Sequence, residues 1–182
     1  TGDGTPDFAA GEHLDDTSAS DGGSVLVFSG ADGSFHLRLT DDQSSNSDHL
    51  GWSISRAGDI DGDGWEDIVA GARYGSTTGG GNAGGVVVFS PRDGRVIRRY
   101  EDPTGESNDY LGWRVDAIGD LDGDGVNDIA AGAPGADPTG TANDVGRIVV
   151  FSGADASVIA TYDNTDGAAN DQLGLSITGI GD

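Results

Sequence analysis

Cysteine, methionine and lysine are all missing from this chain of 182 residues. Without cysteine there is no disulfide scaffold, no thiolate zinc site and no cysteine nucleophile. With neither an initiating methionine nor a signal-peptide pattern, Thr1 is expected to be the start of a mature or excised product. Positive charge is scarce, because nine basic residues, every one an arginine, face 32 acidic ones and leave a formal charge of -23. Nucleic-acid binding is excluded on that balance, since phosphate contacts need clustered Lys and Arg. No apolar run approaches the roughly 20 residues that cross a bilayer as a helix, so no membrane span is expected.

What is abundant is glycine, at 33 residues, and aspartate, which supplies 28 of the 32 acids. Aspartate suits turns and hard cations better than helices, so a helical protein is not expected. One reading of an acidic, lysine-free composition is adaptation to high salt. With 35% hydrophobic residues the chain still has the apolar material for a β-rich core, in one domain or a row of repeats sharing a core.

The sequence repeats. Leu50-Gly51-Trp52 returns as Leu111-Gly112-Trp113 and, more loosely, as Leu173-Gly174-Leu175, spaced 61 and then 62 residues apart. Val87-Val88-Phe89-Ser90 returns as Val149-Val150-Phe151-Ser152 and is foreshadowed by Leu26-Val27-Phe28-Ser29. Within the second unit, short β-branched runs predict strands near Trp52 to Ala57, Asp67 to Ala72, Gly85 to Ser90 and Arg95 to Tyr100. No stretch carries a 3.6-residue stripe. Four short strands per unit give an all-β fold of β-propeller blades, each of four antiparallel strands. The Gly-, Ser-, Thr- and Asp-rich linkers Arg73 to Gly84 and Glu101 to Tyr110 read as surface loops of the kind that carry binding.

One acidic loop holds the unit's chemistry. Asp59, Asp61, Asp63 and Asp67 stand at positions 1, 3, 5 and 9, with glycines at 4 and 6, and Asp120, Asp122, Asp124 and Asp128 repeat the spacing. Alternate residues of a tight turn can aim carboxylates at one point, and the backbone carbonyl at position 7, of Trp65 or Val126, can join them. Four carboxylates packed so closely repel one another by several kcal/mol unless a cation or protons intervene. Ca²⁺ suits this donor set better than Mg²⁺, which demands a strict octahedron and keeps its waters. The alternative is a set of solvated Asx turns. An EF-hand is excluded, because its bidentate Glu at position 12 is Ala70 in one loop and Ala131 in the other.

These residues resemble the FG-GAP repeats of integrin α-subunit propellers and of many secreted bacterial proteins. The family's Phe-Gly is replaced by Leu50-Gly51, Leu111-Gly112 and Leu173-Gly174, while Gly-Ala-Pro is intact at Gly132-Ala133-Pro134 and weakened at Gly71-Ala72-Arg73. The acidic loop lies between the two motifs, as it does in that family. The resemblance implies a four-stranded blade with Ca²⁺ in the hairpin between its first two strands, and roles in adhesion and ligand binding without a fixed catalytic activity.

The two chain ends complement each other. Thr1-Gly2-Asp3-Gly4-Thr5-Pro6-Asp7 aligns with the acidic loop from its third position, and Gly179-Ile180-Gly181-Asp182 with its lead-in and first position. A split site of Asp182, Thr1, Asp3 and Asp7, with the Thr5 carbonyl in the place of Trp65, is therefore expected to bind calcium more weakly than the complete loops. The organisation is a single domain, 1–182, made of a partial blade 1–49 completed by 173–182, a blade 50–110 and a blade 111–172. Three units do not close comfortably in one chain, since propellers use four to eight blades. The ring is expected to be completed by a second copy, head to tail, as six blades, or to belong to a larger propeller, and open head-to-tail contacts would grow a filament.

Trp52 and Trp113 recur at one place in the repeat and are assigned to packing between blades, whereas Trp65 has Val126 as counterpart and could cover a neighbouring blade or stack on a ligand. His13, His36 and His49 read as surface histidines. Arg92, Arg95, Arg98 and Arg99 are expected to pair with nearby Asp and Glu. No nucleophile elbow, phosphate loop or zincin motif is present. The favoured expectation is a secreted, extracellular or cell-surface, calcium-binding module that engages a protein or glycan or assembles with itself and catalyses nothing. The alternatives are a polysaccharide-acting enzyme, or an accessory domain of one, and a structural filament subunit.

Overall fold

A computed structural model describes residues 2–138 and 143–181. Its regular elements are all strands: β1 Phe8–Glu12, β2 Ser24–Phe28, β3 Phe35–Leu39, β4 Leu50–Gly58, β5 Asp67–Ala72, β6 Gly85–Phe89, β7 Val96–Tyr100, β8 Arg114–Ala117, β9 Ile129–Ala133, β10 Arg147–Phe151 and β11 Val158–Asp163. They form three antiparallel sheets in sequence order, β1-β2-β3, β4-β5-β6-β7 and β8-β9-β10-β11. Each is a meander of the kind that makes a propeller blade. The four strands predicted in the second unit are β4 to β7.

The burial of each strand follows its place in the sandwich of blades. The run Gly85-Val86-Val87-Val88-Phe89 in β6 is buried at every position, because both faces of a middle strand are covered. The outer strand β7 is half-buried except at Tyr100. Two cores result. Val25, Val27, Leu39, Leu50, Val87 and Phe89 pack between the first and second sheets. Val69, Val86, Val88, Leu111, Val115, Ile129 and Phe151 pack between the second and third, where the Tyr100 and Phe151 rings lie 5.4 Å apart. Full burial of such side chains contributes about 1.5–3 kcal/mol each.

The joints between blades repeat as strictly as the blades. Parallel bridges join Gly23 to Leu50, Gly84 to Leu111 and Gly146 to Leu173. At each joint two glycines meet. A Cβ on Gly71 would stand 1.9 Å from the Gly112 carbonyl oxygen, and one on Gly132 would stand 2.0 Å from that of Gly174. The two short motifs of the repeat thus meet across blades, and glycine is required there by close backbone approach.

The first and last segments differ from the complete blades. The first sheet has three strands, and β1 presents a free edge with Phe8 54% exposed. Residues 173–181, expected as a first strand, join no sheet and instead pack on the third blade, with the Gly179 amide donating to Asp116 Oδ2 at 2.9 Å. A first strand pairs only with a second, and no described residue supplies one at that place.

Candidate metal centre

The loop from β4 to β5 is built by its own aspartates. Gly62 and Gly64 adopt φ of 75° and 87°, which turns the chain tightly enough for carboxylates two residues apart to cap successive amides. The Asp63 amide donates to Asp59 Oδ1 and Asp61 Oδ1, both at 3.0 Å, the Gly64 amide to Asp59 Oδ2 at 2.9 Å, and the Trp65 amide to Asp63 Oδ1 at 2.9 Å. The Ile60 amide donates to Asp67 Oδ2 at 2.8 Å, tying the loop's start to its ninth position.

The loop from β8 to β9 repeats this bond for bond. The Asp124 amide donates to Asp120 Oδ1 at 3.0 Å and to Asp122 Oδ1 at 3.1 Å, the Gly125 amide to Asp120 Oδ2 at 2.9 Å, the Val126 amide to Asp124 Oδ1 at 2.8 Å, and the Leu121 amide to Asp128 Oδ2 at 2.6 Å. Carboxylate oxygens of Asp59, Asp61 and Asp67 come within 4.8 Å of one another, as do those of Asp120, Asp122 and Asp124. Each group gathers three of the four expected carboxylates; Asp63 stands by Arg92, and Asp128 is buried with both oxygens bonded. In the first blade the Thr5 amide donates to Asp3 Oδ1 at 2.8 Å. Thr1 and Asp182, the other members of the split site, lie outside the described residues.

The ninth position separates the loops. In the first and third blades the residue after the Ser of the next turn donates its amide to this aspartate, Gly30 to Asp7 Oδ1 and Gly153 to Asp128 Oδ1, each at 3.1 Å. In the second blade that residue is Pro91, which has no N–H, and Asp67 Oδ1 is buried without a hydrogen-bond partner. Burial, with Asp61 and Asp63 close by, pushes the Asp67 carboxyl up to about 7, against the opposing hydrogen bond from the Ile60 amide. Desolvation raises Asp122 too, with the charges of Asp124, Asp128 and Asp120 adding to it against the hydrogen bond from the Asp124 amide. A hard divalent cation fits these donors, because it would supply the charge that an unpartnered buried carboxylate oxygen needs.

Two features go beyond the sequence reading, which expected acidic partners for the clustered arginines but did not name the metal loop as their source. Arg95 pairs with Asp61, and Arg92 Nη1 lies 3.7 Å from Asp63 Oδ2, so two of the clustered arginines engage loop carboxylates. Arg99 pairs with Asp41 and Asp42, while Arg98 bonds the Gly153 carbonyl instead of an acid. The second feature is an aromatic cluster at the blade joints. Trp52 and Trp113 have ring centroids 5.6 Å apart, and the buried Arg73 guanidinium sits 3.4 Å from the Trp52 centroid, 4.2 Å from that of Tyr74 and 4.5 Å from that of Trp113. His13 stacks edge-on against Trp52 at 4.9 Å, and His49 lies 4.8 Å from Tyr74. These two histidines are half-buried in the cluster instead of lying on the open surface, while His36 is exposed. Trp65 covers the neighbouring blade, where a Cβ on Gly2 would meet its ring at 2.8 Å. Beside it a cleft of about 450 Å³ runs between the first two blades, lined by Phe8, Val27, His36, Ile68 and Pro91.

The chain is 32% identical over 100 residues to integrin alpha-PS5 of Drosophila melanogaster, across 51% of its own length and 10% of that protein. To human integrin alpha-6 it is 34% identical over 101 residues, across 53% of its length and 8% of that protein. It therefore spans about a tenth of the length of these relatives. Among solved structures, the rhamnogalacturonan lyase of Bacillus licheniformis aligns over 78% of this chain and 31% of its own, at 16% identity and a TM-score of 0.35. The model of the FG-GAP repeat matches residues 50–89 and 111–151. Residues 50–89 and 111–151, in the second and third blades, match the FG-GAP repeat, and integrin α-subunits are among the proteins this chain is similar to.

Proposed function

We propose that the chain is a calcium-stabilised, integrin-like propeller segment that acts outside the cell in binding or assembly and performs no catalysis. The observation that carries this reading is Asp67, a fully buried carboxylate with one oxygen unpartnered, inside a cluster whose spacing recurs in the next blade. Asp59, Asp61, Asp63 and Asp67 with the Trp65 carbonyl would hold one ion, and Asp120, Asp122, Asp124 and Asp128 with the Val126 carbonyl another. The ion would supply charge neutralisation, lowering the repulsion inside a chain of formal charge -23 and tying the first two strands of each blade together. Three aspartates of each loop bring carboxylate oxygens within 4.8 Å of one another. A pair of carboxylates facing each other across a substrate cleft, as glycoside hydrolysis needs, is not what they form.

The free edge of β1 motivates the assembly part of the reading, because an unpaired edge is a template for a further strand. Residues 173–181 have first-strand sequence, and a second copy of this chain would offer them to β1 head to tail. Extracellular calcium in the millimolar range would suffice for weak sites of this chemistry, with dissociation constants of about 10⁻⁴ to 10⁻³ M. The test is thermal unfolding in chelator and in about 2 mM CaCl₂, roughly two to twenty times such a constant. A rise in melting temperature with calcium but not with equal magnesium supports the proposal; unchanged melting in all three conditions overturns it. Solution mass in the same buffers reads the assembly, and turnover of any polysaccharide would replace the non-catalytic reading.

A further inference from the structure

The turn from β6 to β7 reads Ser90-Pro91-Arg92-Asp93-Gly94-Arg95, whereas its sisters read Ser29-Gly30-Ala31-Asp32-Gly33-Ser34 and Ser152-Gly153-Ala154-Asp155-Ala156-Ser157. The first and third blades agree at three positions, Gly, Ala and Ser, where the second carries Pro91, Arg92 and Arg95. All three replacements act on the acidic loop beside the turn. Pro91 removes the amide that would bond Asp67 and leaves Asp67 Oδ1 buried and unpartnered. Arg95 reaches Asp61 Oδ2, and Arg92 Nη1 stands 3.7 Å from Asp63 Oδ2. In the third blade the matching residues, Ala154 and Ser157, bring no charge to a loop with the same four aspartates.

We propose that Arg95, helped by Arg92, is a built-in counter-ion of the 59–67 loop, and that calcium enters this loop by displacing the Arg95 guanidinium from Asp61. The inference rests on the calcium reading given above. Calcium affinity in loops of this kind follows the charge of the donor set. Four carboxylates facing two guanidinium groups present half the net charge that they present alone. The displacement is mechanically easy, since the Arg95 side chain is 49% exposed while Asp61 is only 10% exposed, so the arginine can swing into solvent and the carboxylate stays in place. The two loops therefore differ in function despite equal donors: a competing arginine sets the calcium affinity of the 59–67 loop, and none among the described residues does so in the 120–128 loop.

The experiment uses the full chain and Tb³⁺ as a luminescent stand-in for Ca²⁺. Trp65 at loop position 7 sensitises terbium bound in the 59–67 loop, whereas the other complete loop has Val126 there; a Trp65→Phe variant identifies that signal. Calcium is then titrated against terbium in the wild type, in Arg95→Ser and in Arg92→Ala, which install the residues of the sister turns. Removing an exposed ion pair and a like charge next to a divalent ion should tighten calcium at this loop about tenfold in Arg95→Ser, and by less in Arg92→Ala. The converse graft, Ser157→Arg, should weaken the 120–128 loop, read by calorimetry, and keeps the idea testable if Arg95→Ser fails to fold. Equal or weaker calcium binding in a folded Arg95→Ser, or an unchanged 120–128 loop in Ser157→Arg, overturns the proposal. Absence of both terbium signal and calorimetric heat in every variant would overturn the calcium reading itself.

Discussion

Replacing Asp67 by Asn should stabilise the metal-free protein and remove the 59–67 loop's share of its response to calcium, two effects of opposite sign from one atom's change. The Asp67 carboxyl titrates near 7 in the fold against an ordinary value of 3.8. A raised folded-state value means that the fold holds the proton more tightly than the unfolded chain does. Stability is therefore lost as pH rises from about 4, and the loss is complete above about 7. A shift of about three units corresponds to about 4 kcal/mol at pH 8, an upper bound if the loop relaxes or water enters. Asn cannot ionise, keeps an oxygen for the Ile60 amide and escapes the penalty. In chelator, urea unfolding should show Asp67→Asn more stable than the wild type at pH 8, and this gain should exceed the gain at pH 5 by about 2–3 kcal/mol. Adding calcium at pH 8 should then raise the wild type more than the variant, which keeps only the 120–128 loop. A variant less stable than the wild type at pH 8 in chelator would refute the reasoning, since the buried charge would then be a net benefit without metal.

Two further substitutions probe the frame that holds the loops. Gly71→Ala should cost about 1–3 kcal/mol, because its Cβ lands 1.9 Å from the Gly112 carbonyl oxygen, whereas Gly81→Ala, with nothing within 4 Å, should be neutral by the same thermal scan. Arg147 bonds Asp163 Oδ1 at 2.7 Å and Asp102 Oδ2 at 3.1 Å across two blades, and its side chain is 14% exposed. Arg147→Ala strands the buried Asp102 and should cost about 3–5 kcal/mol in urea unfolding at pH 7.

The blades were legible in the sequence because their signals are local. The valine run of β6 and the Asp-x-Asp-x-Asp spacing each fit within ten residues, so strand and turn chemistry can be read without tertiary knowledge. The loop's internal hydrogen bonds follow from the same spacing. What could not be read is what depends on a neighbouring element. Arg95 is 34 residues from Asp61 and meets it only because β6 turns back beside the loop. Arg73 stacks on Trp113 through a joint between blades that no local pattern encodes. Pro91 gave a partial signal, since its place in the repeat is glycine in both sister turns, but its meaning needed the amide that those glycines donate.

The glycine pairs at the blade joints, Gly11 with Gly51, Gly71 with Gly112 and Gly132 with Gly174, put carbonyl oxygens about where side chains would begin. Angular pitch in such a fan is consequently set by bare backbone, the least compressible spacer available. A methyl group at one joint would splay that step alone, and because each wedge leans only on its neighbour, the error would pass undiluted to the rim. The angle from each blade to the next is thus decided by residues with nothing to contribute but their lack of bulk.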